Sequence, residues 1–114
     1  MTDASERRRL LLDAACTAPF PHEPADEVVS GDPTVATVPL GAVGEIEVGL
    51  WEITAGVVRD TEVDEIFVVL SGAGRVEFDD GEVVPLSPGV VVRLSGGERT
   101  TWTVTETLRK IYVA

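Results

Sequence analysis

The chain has 114 residues, 44% of them hydrophobic, and twenty Asp and Glu against nine Lys and Arg give a formal charge of −11. That length allows one domain with one core, and that charge excludes a nucleic-acid partner and disfavours an anionic membrane surface. One cysteine excludes an internal disulfide framework, and no run of about 18 apolar residues is present to span a bilayer.

Residues 1–27 read as a helix followed by an arm. From Thr2 to Cys16, Asp3 or Ser5 is a candidate cap, and Leu10, Leu11, Ala14 and Ala15 form an apolar stripe. Arg7, Arg8 and Arg9 precede that stripe as a solvated face. The stretch ending at Asp13 is too short for a signal peptide, so the expectation is a cytoplasmic protein. Pro19, Pro21 and Pro24 then forbid regular structure, with Phe20 placed to pin the arm to the body. His22, in this arm, is expected to be exposed, and Cys16 to be inert.

Residues 28–114 form the second part, and strand character begins at about residue 34. Val and Thr dominate, which suits a pleated surface. Glu45 to Leu50 alternates polar and apolar, as a strand with one wet face does. Glu65–Leu70 and Val90–Leu94 are almost continuously apolar, which predicts strands covered on both sides. Arg75 to Phe78 alternates again and runs into Asp79-Asp80-Gly81, a hairpin turn. Segments 100–105 and 108–113 complete eight or nine short strands. Their spacing predicts an all-β antiparallel sandwich or barrel with no room for crossover helices.

A set of residues in fixed order carries a resemblance. Trp51-Glu52, Gly56, Glu65, Leu70-Ser71-Gly72, Asp80-Gly81, Pro88-Gly89, Trp102 and Arg109-Lys110-Ile111-Tyr112-Val113 resemble the small, RmlC-like cupins of the ureidoglycine aminohydrolase type. The resemblance spans roughly residues 28–113 and implies a jelly-roll barrel. It also implies a departure. Where metal-binding cupins carry His-x-His before the first-motif Glu, this chain has Arg59, Asp60, Glu62 and Asp64, and the second-motif His position falls on Thr100. Without nitrogen or sulfur ligands no transition-metal cofactor is expected. The oxygen-only group Glu62, Asp64 and Glu65 leaves a hard cation open.

Candidate site residues follow. Glu65 begins an apolar strand and, on the cupin pattern, points into the barrel as an acid, a base or a ligand-orienting acceptor paired to a cation. Arg59, Arg93 and Lys110 are the candidate cations; Arg93 inside Val90–Leu94 is expected to pair with Glu65 or Glu52, or to clamp an anion. Trp51, Trp102 and Tyr112 are candidate pocket walls, and Lys110 and Tyr112, two apart on a strand, must share a face. Glu62, from the acidic loop, joins them as a candidate ligand contact. The functional expectation is a small-molecule-binding module taking a small polar or anionic metabolite in the barrel. The alternative is a lyase, isomerase or amidohydrolase using Glu65 as general acid or base. The open edges of such a barrel predict a homodimer.

Overall fold

The computed structural model describes residues 8–114, and every strand pairing in it is antiparallel. Nine strands follow in chain order: β1 (Glu23–Pro24), β2 (Val28–Ser30), β3 (Thr34–Val43), β4 (Ile46–Ile53), β5 (Gly56–Thr61), β6 (Glu65–Phe78), β7 (Val83–Leu86), β8 (Val91–Leu94) and β9 (Arg99–Val113).

Two of these strands build the barrel. β9 is 15 residues long and β6 is 14, and they pair along almost their whole length while bending from one sheet into the other. Residues 108–113 of β9 lie between β4 and the first half of β6, whose far edge carries β8. Residues 99–104 lie between β5 and the second half of β6, whose far edge carries β7. β3 and β1 extend the first sheet and β2 the second. The jelly-roll expectation holds.

What reads in the sequence as two strands on either side of Ser71–Gly74 is therefore one. Three register shifts between Val69 and Gly74 bend β6 without ending it. Gly72 makes the bend possible: its φ is +95°, and a Cβ there would collide with the Thr107 carbonyl on β9. By contrast, Asp79-Asp80-Gly81 forms the predicted turn, with Gly81 at φ +99° and the Asp80 carboxylate accepting from Glu82 N at 2.8 Å. The core between the sheets is Ile53, Phe67, Val69, Val76, Leu94, Trp102, Val104 and Leu108.

Three local expectations are corrected. Pro24, in the stretch read as irregular, pairs with Thr34 in the short strand β1. The helix predicted over Thr2–Cys16 falls partly outside the described residues, and from residue 8 onward no helix forms. Ala14 adopts φ 54°, and Thr17 N and Ala18 N both donate to its carbonyl in a turn. Leu10 stays 66% and Leu11 40% exposed, so the apolar stripe buries too little to stabilise a short helix. Neither apolar run is covered on both sides. Val91 is 64% exposed and Arg93 is exposed while Val92 and Leu94 are buried, and Ile66 on β6 is 43% exposed. Strand period, not local apolarity, decides which face is wet.

Candidate functional site

The inner face near one end of the barrel is polar. On β5, Asp60 lies opposite Thr100 of β9 and Val58 opposite Trp102, so these four residues point the same way. On the other half of β9, Lys110 lies opposite Trp51 on one side and Val69 on the other, and Tyr112 opposite Phe67. The loop after β5 returns Glu62 to the interior, and Glu65 opens β6 on the inner face with Phe67 and Val69.

Lys110 occupies the middle of this end. Its Nζ donates to Glu65 Oε2 at 2.6 Å, and the two side chains are only 7% and 11% exposed. Three aromatic rings surround the ammonium, with centroids 4.3 Å (Phe67), 4.8 Å (Trp51) and 5.0 Å (Trp102) away. The rings support one another: Trp51 and Trp102 lie 5.5 Å apart, Phe67 and Trp102 5.7 Å. A desolvated cation against several π faces gains up to about 2 kcal/mol from each good contact. Together with Glu65 these rings compensate the burial of the charge.

Glu62 is held differently. Its Oε2 accepts from Thr100 Oγ1 at 2.6 Å and from Trp102 Nε1 at 3.0 Å, both neutral donors. Asp60 stands at the rim. Partial desolvation of its carboxyl, reinforced by the charge of Glu62, pushes its pKa from 3.8 up to about 6, against an opposing pull from Lys110. Tyr112 packs over Gly49, where a Cβ would overlap the ring, and donates to Glu47 at 2.7 Å. Burial, then this hydrogen bond, raise its pKa to about 12.

The structure thus brings together Trp51, Glu62, Glu65, Trp102 and Lys110, with Tyr112 one step along β9. It separates two others. Arg59 points outward, where its guanidinium bonds both oxygens of Asp79 at 3.0 and 3.2 Å and Thr101 at 2.9 Å. Arg93 faces neither Glu65 nor Glu52; it lies on the outer face of β8 beside a cleft of about 310 Å³, with Glu82 and Glu98 nearby. The two are outside because Val58 and Asp60 on β5, and Val92 and Leu94 on β8, take the inner positions. Asp64 also turns out, accepting from Gly96 N at 2.8 Å, so the run Glu62, Asp64 and Glu65 is dispersed.

A second buried cation lies on the opposite face. Arg109 pairs with Glu52 at 2.9 Å, donates to the Ala15 carbonyl at 2.9 Å and covers the Phe20 ring at 5.1 Å. His22 completes this knot and is not exposed as expected: its ring nitrogens lie 2.6 Å from Glu52 and 2.9 Å from Thr34. Burial alone would raise the pKa of Glu52, but hydrogen bonds from Arg109 and His22 outweigh it and hold the carboxyl below its usual range. The arm is strapped to the outside of the sheet whose inside holds Lys110.

The model of the EutQ-like cupin domain matches residues 40–112. The chain belongs to that family. The EutQ protein of Clostridium difficile is 27% identical over 71% of this cupin and 67% of its own length, with a TM-score of 0.62. A Rhizobium leguminosarum protein of unknown function is 29% identical over 69% and 78%, with a TM-score of 0.63. The putative ethanolamine utilization protein Q of Salmonella typhimurium, 19% identical with a TM-score of 0.62, shows the shared fold. No curated protein matches the chain.

The cupin resemblance implies a transition-metal site with His ligands, and the residues of this chain do not fit one. The first-motif stretch offers carboxylates, the second-motif position is Thr100, and the ammonium of Lys110 already sits on Glu65. Among the described residues no three His, Cys, Asp or Glu side chains gather as a metal site. Asp60 and Thr100, named in the sequence only as occupants of the metal-motif positions, and Phe67 were not counted as site residues. The signal for Asp60 was available in the alternation of β5, since Val58 and Asp60 share a face and Arg59 must take the other.

Proposed function

We propose that this EutQ-like cupin is a binding module for a small polar metabolite, received where Asp60, Glu62, Glu65 and Lys110 converge. One observation carries the reading: Lys110 is buried inside the barrel, where an aliphatic side chain would fill the space without desolvation cost. An ammonium has three donors, and Glu65 takes one, so the amine is equipped to orient a ligand oxygen. Among the described residues, three carboxylates share this end of the barrel with one cation. The balance favours neutral polar ligands over the anionic ones the sequence also allowed, because Arg59 and Arg93 point elsewhere. A thermal-shift screen of small polar metabolites tests the proposal: at least one should raise Tm in the wild type and fail to do so in Glu65→Gln. A screen in which every active compound also stabilises Glu65→Gln overturns it.

A second reading, an enzyme of the lyase, isomerase or amidohydrolase kind, is favoured by Asp60 rather than by Glu65. A rim carboxyl with a pKa of about 6 is suited to general acid–base work near neutrality, whereas Glu65 is committed to Lys110. The resemblance to ureidoglycine aminohydrolase-type cupins points the same way. Turnover that is lost in Asp60→Asn while ligand binding persists would select this reading. We also propose a homodimer. Ile66, Val91 and Val113 are exposed on adjoining strands of one outer face, and Val68 and Ile111 continue the patch. Light scattering should give twice the chain mass.

A further inference from the structure

We propose that Lys110 captures a small aldehyde or ketone as a protonated imine, so that the ligand of the barrel mouth is a carbonyl compound. This rests on the binding role proposed above. Of the nine Lys and Arg in the chain, Lys110 is the only lysine; the other eight are Arg. A strand position whose one task was to neutralise Glu65 is served as well by Arg, and the neighbouring Arg109 does that for Glu52. What lysine adds is a primary amine that can become a nucleophile, which a guanidinium cannot. The single amine in the chain's side-chain inventory is buried at the polar end of the barrel, against a carboxylate that can hold its proton.

The surroundings suit the product as well as the starting state. Glu65 and the rings of Trp51, Phe67 and Trp102 stabilise a cation, and a protonated imine is still a cation at the same nitrogen. The step balances without a co-reactant. One ammonium proton passes to Glu65, the freed lone pair attacks the carbonyl carbon, the C–N bond forms, and the C–O π pair moves to oxygen. That oxygen then leaves as water with two of the three protons that began on Nζ, each relayed through Glu65. The third proton stays on the imine nitrogen, so ammonium plus carbonyl gives iminium plus water with no change in charge.

Reductive trapping tests this on the wild-type protein. Acetaldehyde and acetone are each added with cyanoborohydride, which delivers hydride to an iminium and leaves a stable secondary amine on Lys110. Intact mass and peptide mapping separate Lys110 from the α-amine. Trapping at Lys110 should run at least about tenfold faster in the folded protein than in the same chain unfolded in urea, and should slow in Glu65→Gln. Labelling confined to the α-amine, or slower at Lys110 when folded than when unfolded, overturns the imine. If polar compounds still raise Tm through Glu65 while no adduct is trapped, the binding role stands and the imine falls. If neither occurs, both fall.

Discussion

Arg109 and Lys110 are consecutive residues on β9, both buried and both paired to a carboxylate, and they face opposite sides of one sheet. Arg109 spends its guanidinium on fixed points: Glu52, a backbone carbonyl of the arm and the face of Phe20. Lys110 has one hydrogen-bonded partner and three rings that attract charge without fixing its direction. The planar fork is the chemistry of a fastening. The ammonium in an aromatic box is the chemistry of a group that can change partners. Two adjacent cations of equal charge thus do different work because one side chain distributes rigid donors and the other keeps a compact, reactive head.

Removing each cation should expose that difference. Lys110→Met strands Glu65 beside Glu62 and Asp60 with no other cation inside among the described residues, and should cost about 3–5 kcal/mol in urea denaturation; adding Glu65→Leu should restore most of it. Arg109→Met should cost less, about 2 kcal/mol, because His22 remains on Glu52. Its sharper sign should be cleavage within residues 8–22 by a trace protease, which Lys110→Met should not cause at equal folded fraction. Thr100→Val removes the hydroxyl donor of Glu62 and should cost about 1–2 kcal/mol.

The two faces should also differ in the sign of their pH dependence. Glu52, held low by Arg109 and His22, contributes stability that is present above its unfolded pKa of about 4.5 and is lost as pH falls through the lower folded value. Asp60 does the reverse. Its folded pKa of about 6 lies above 3.8, so the folded state binds the proton more tightly, and stability falls as pH rises through that window. Asp60→Asn should therefore flatten the denaturation midpoint between about pH 4 and 6 and stabilise the protein slightly at neutrality. A midpoint in Asp60→Asn that still falls as steeply over that range would place the titration elsewhere.

Much of the architecture was legible because strand period and turn chemistry are local. The alternation around Arg75–Phe78, the Asp79-Asp80-Gly81 turn and the shared face of Lys110 and Tyr112 all follow from neighbours in sequence. Long bent strands were not legible. Ser71-Gly72-Ala73-Gly74 has the composition of a turn, and only the close approach of β9 makes it a bend. The helix was misread because the amphipathic stripe of Leu10 and Leu11 says nothing of whether a surface waits to bury it. In the site, Arg59 and Asp60 are adjacent, and choosing between them amounts to choosing the register of β5, which its pairing with β9 decides. Phe67 reads as plain core in any apolar strand; its part in the cationic box appears only when Trp51, Trp102 and Lys110 arrive from strands far along the chain.

The length of β9 has a consequence for how the protein comes into being. β4 and β5 each find a partner in β9, and β6 lies along it for most of its length, yet β9 follows all three in the order of synthesis. Until it is made, the pairings open to the chain are those of β1 and β4 on β3, of β2 on β5, and of β7 and β8 on β6. None of these pieces alone encloses a core. Barrel closure is thus a late, collective event, of the kind that distant strand pairings make slow. Pulse-labelled amide exchange during refolding should find Leu50 on β4, Val58 on β5 and Trp102 on β9 gaining protection together, in one step. Growth of the barrel from its first strand to its last would protect Leu50 well before the other two.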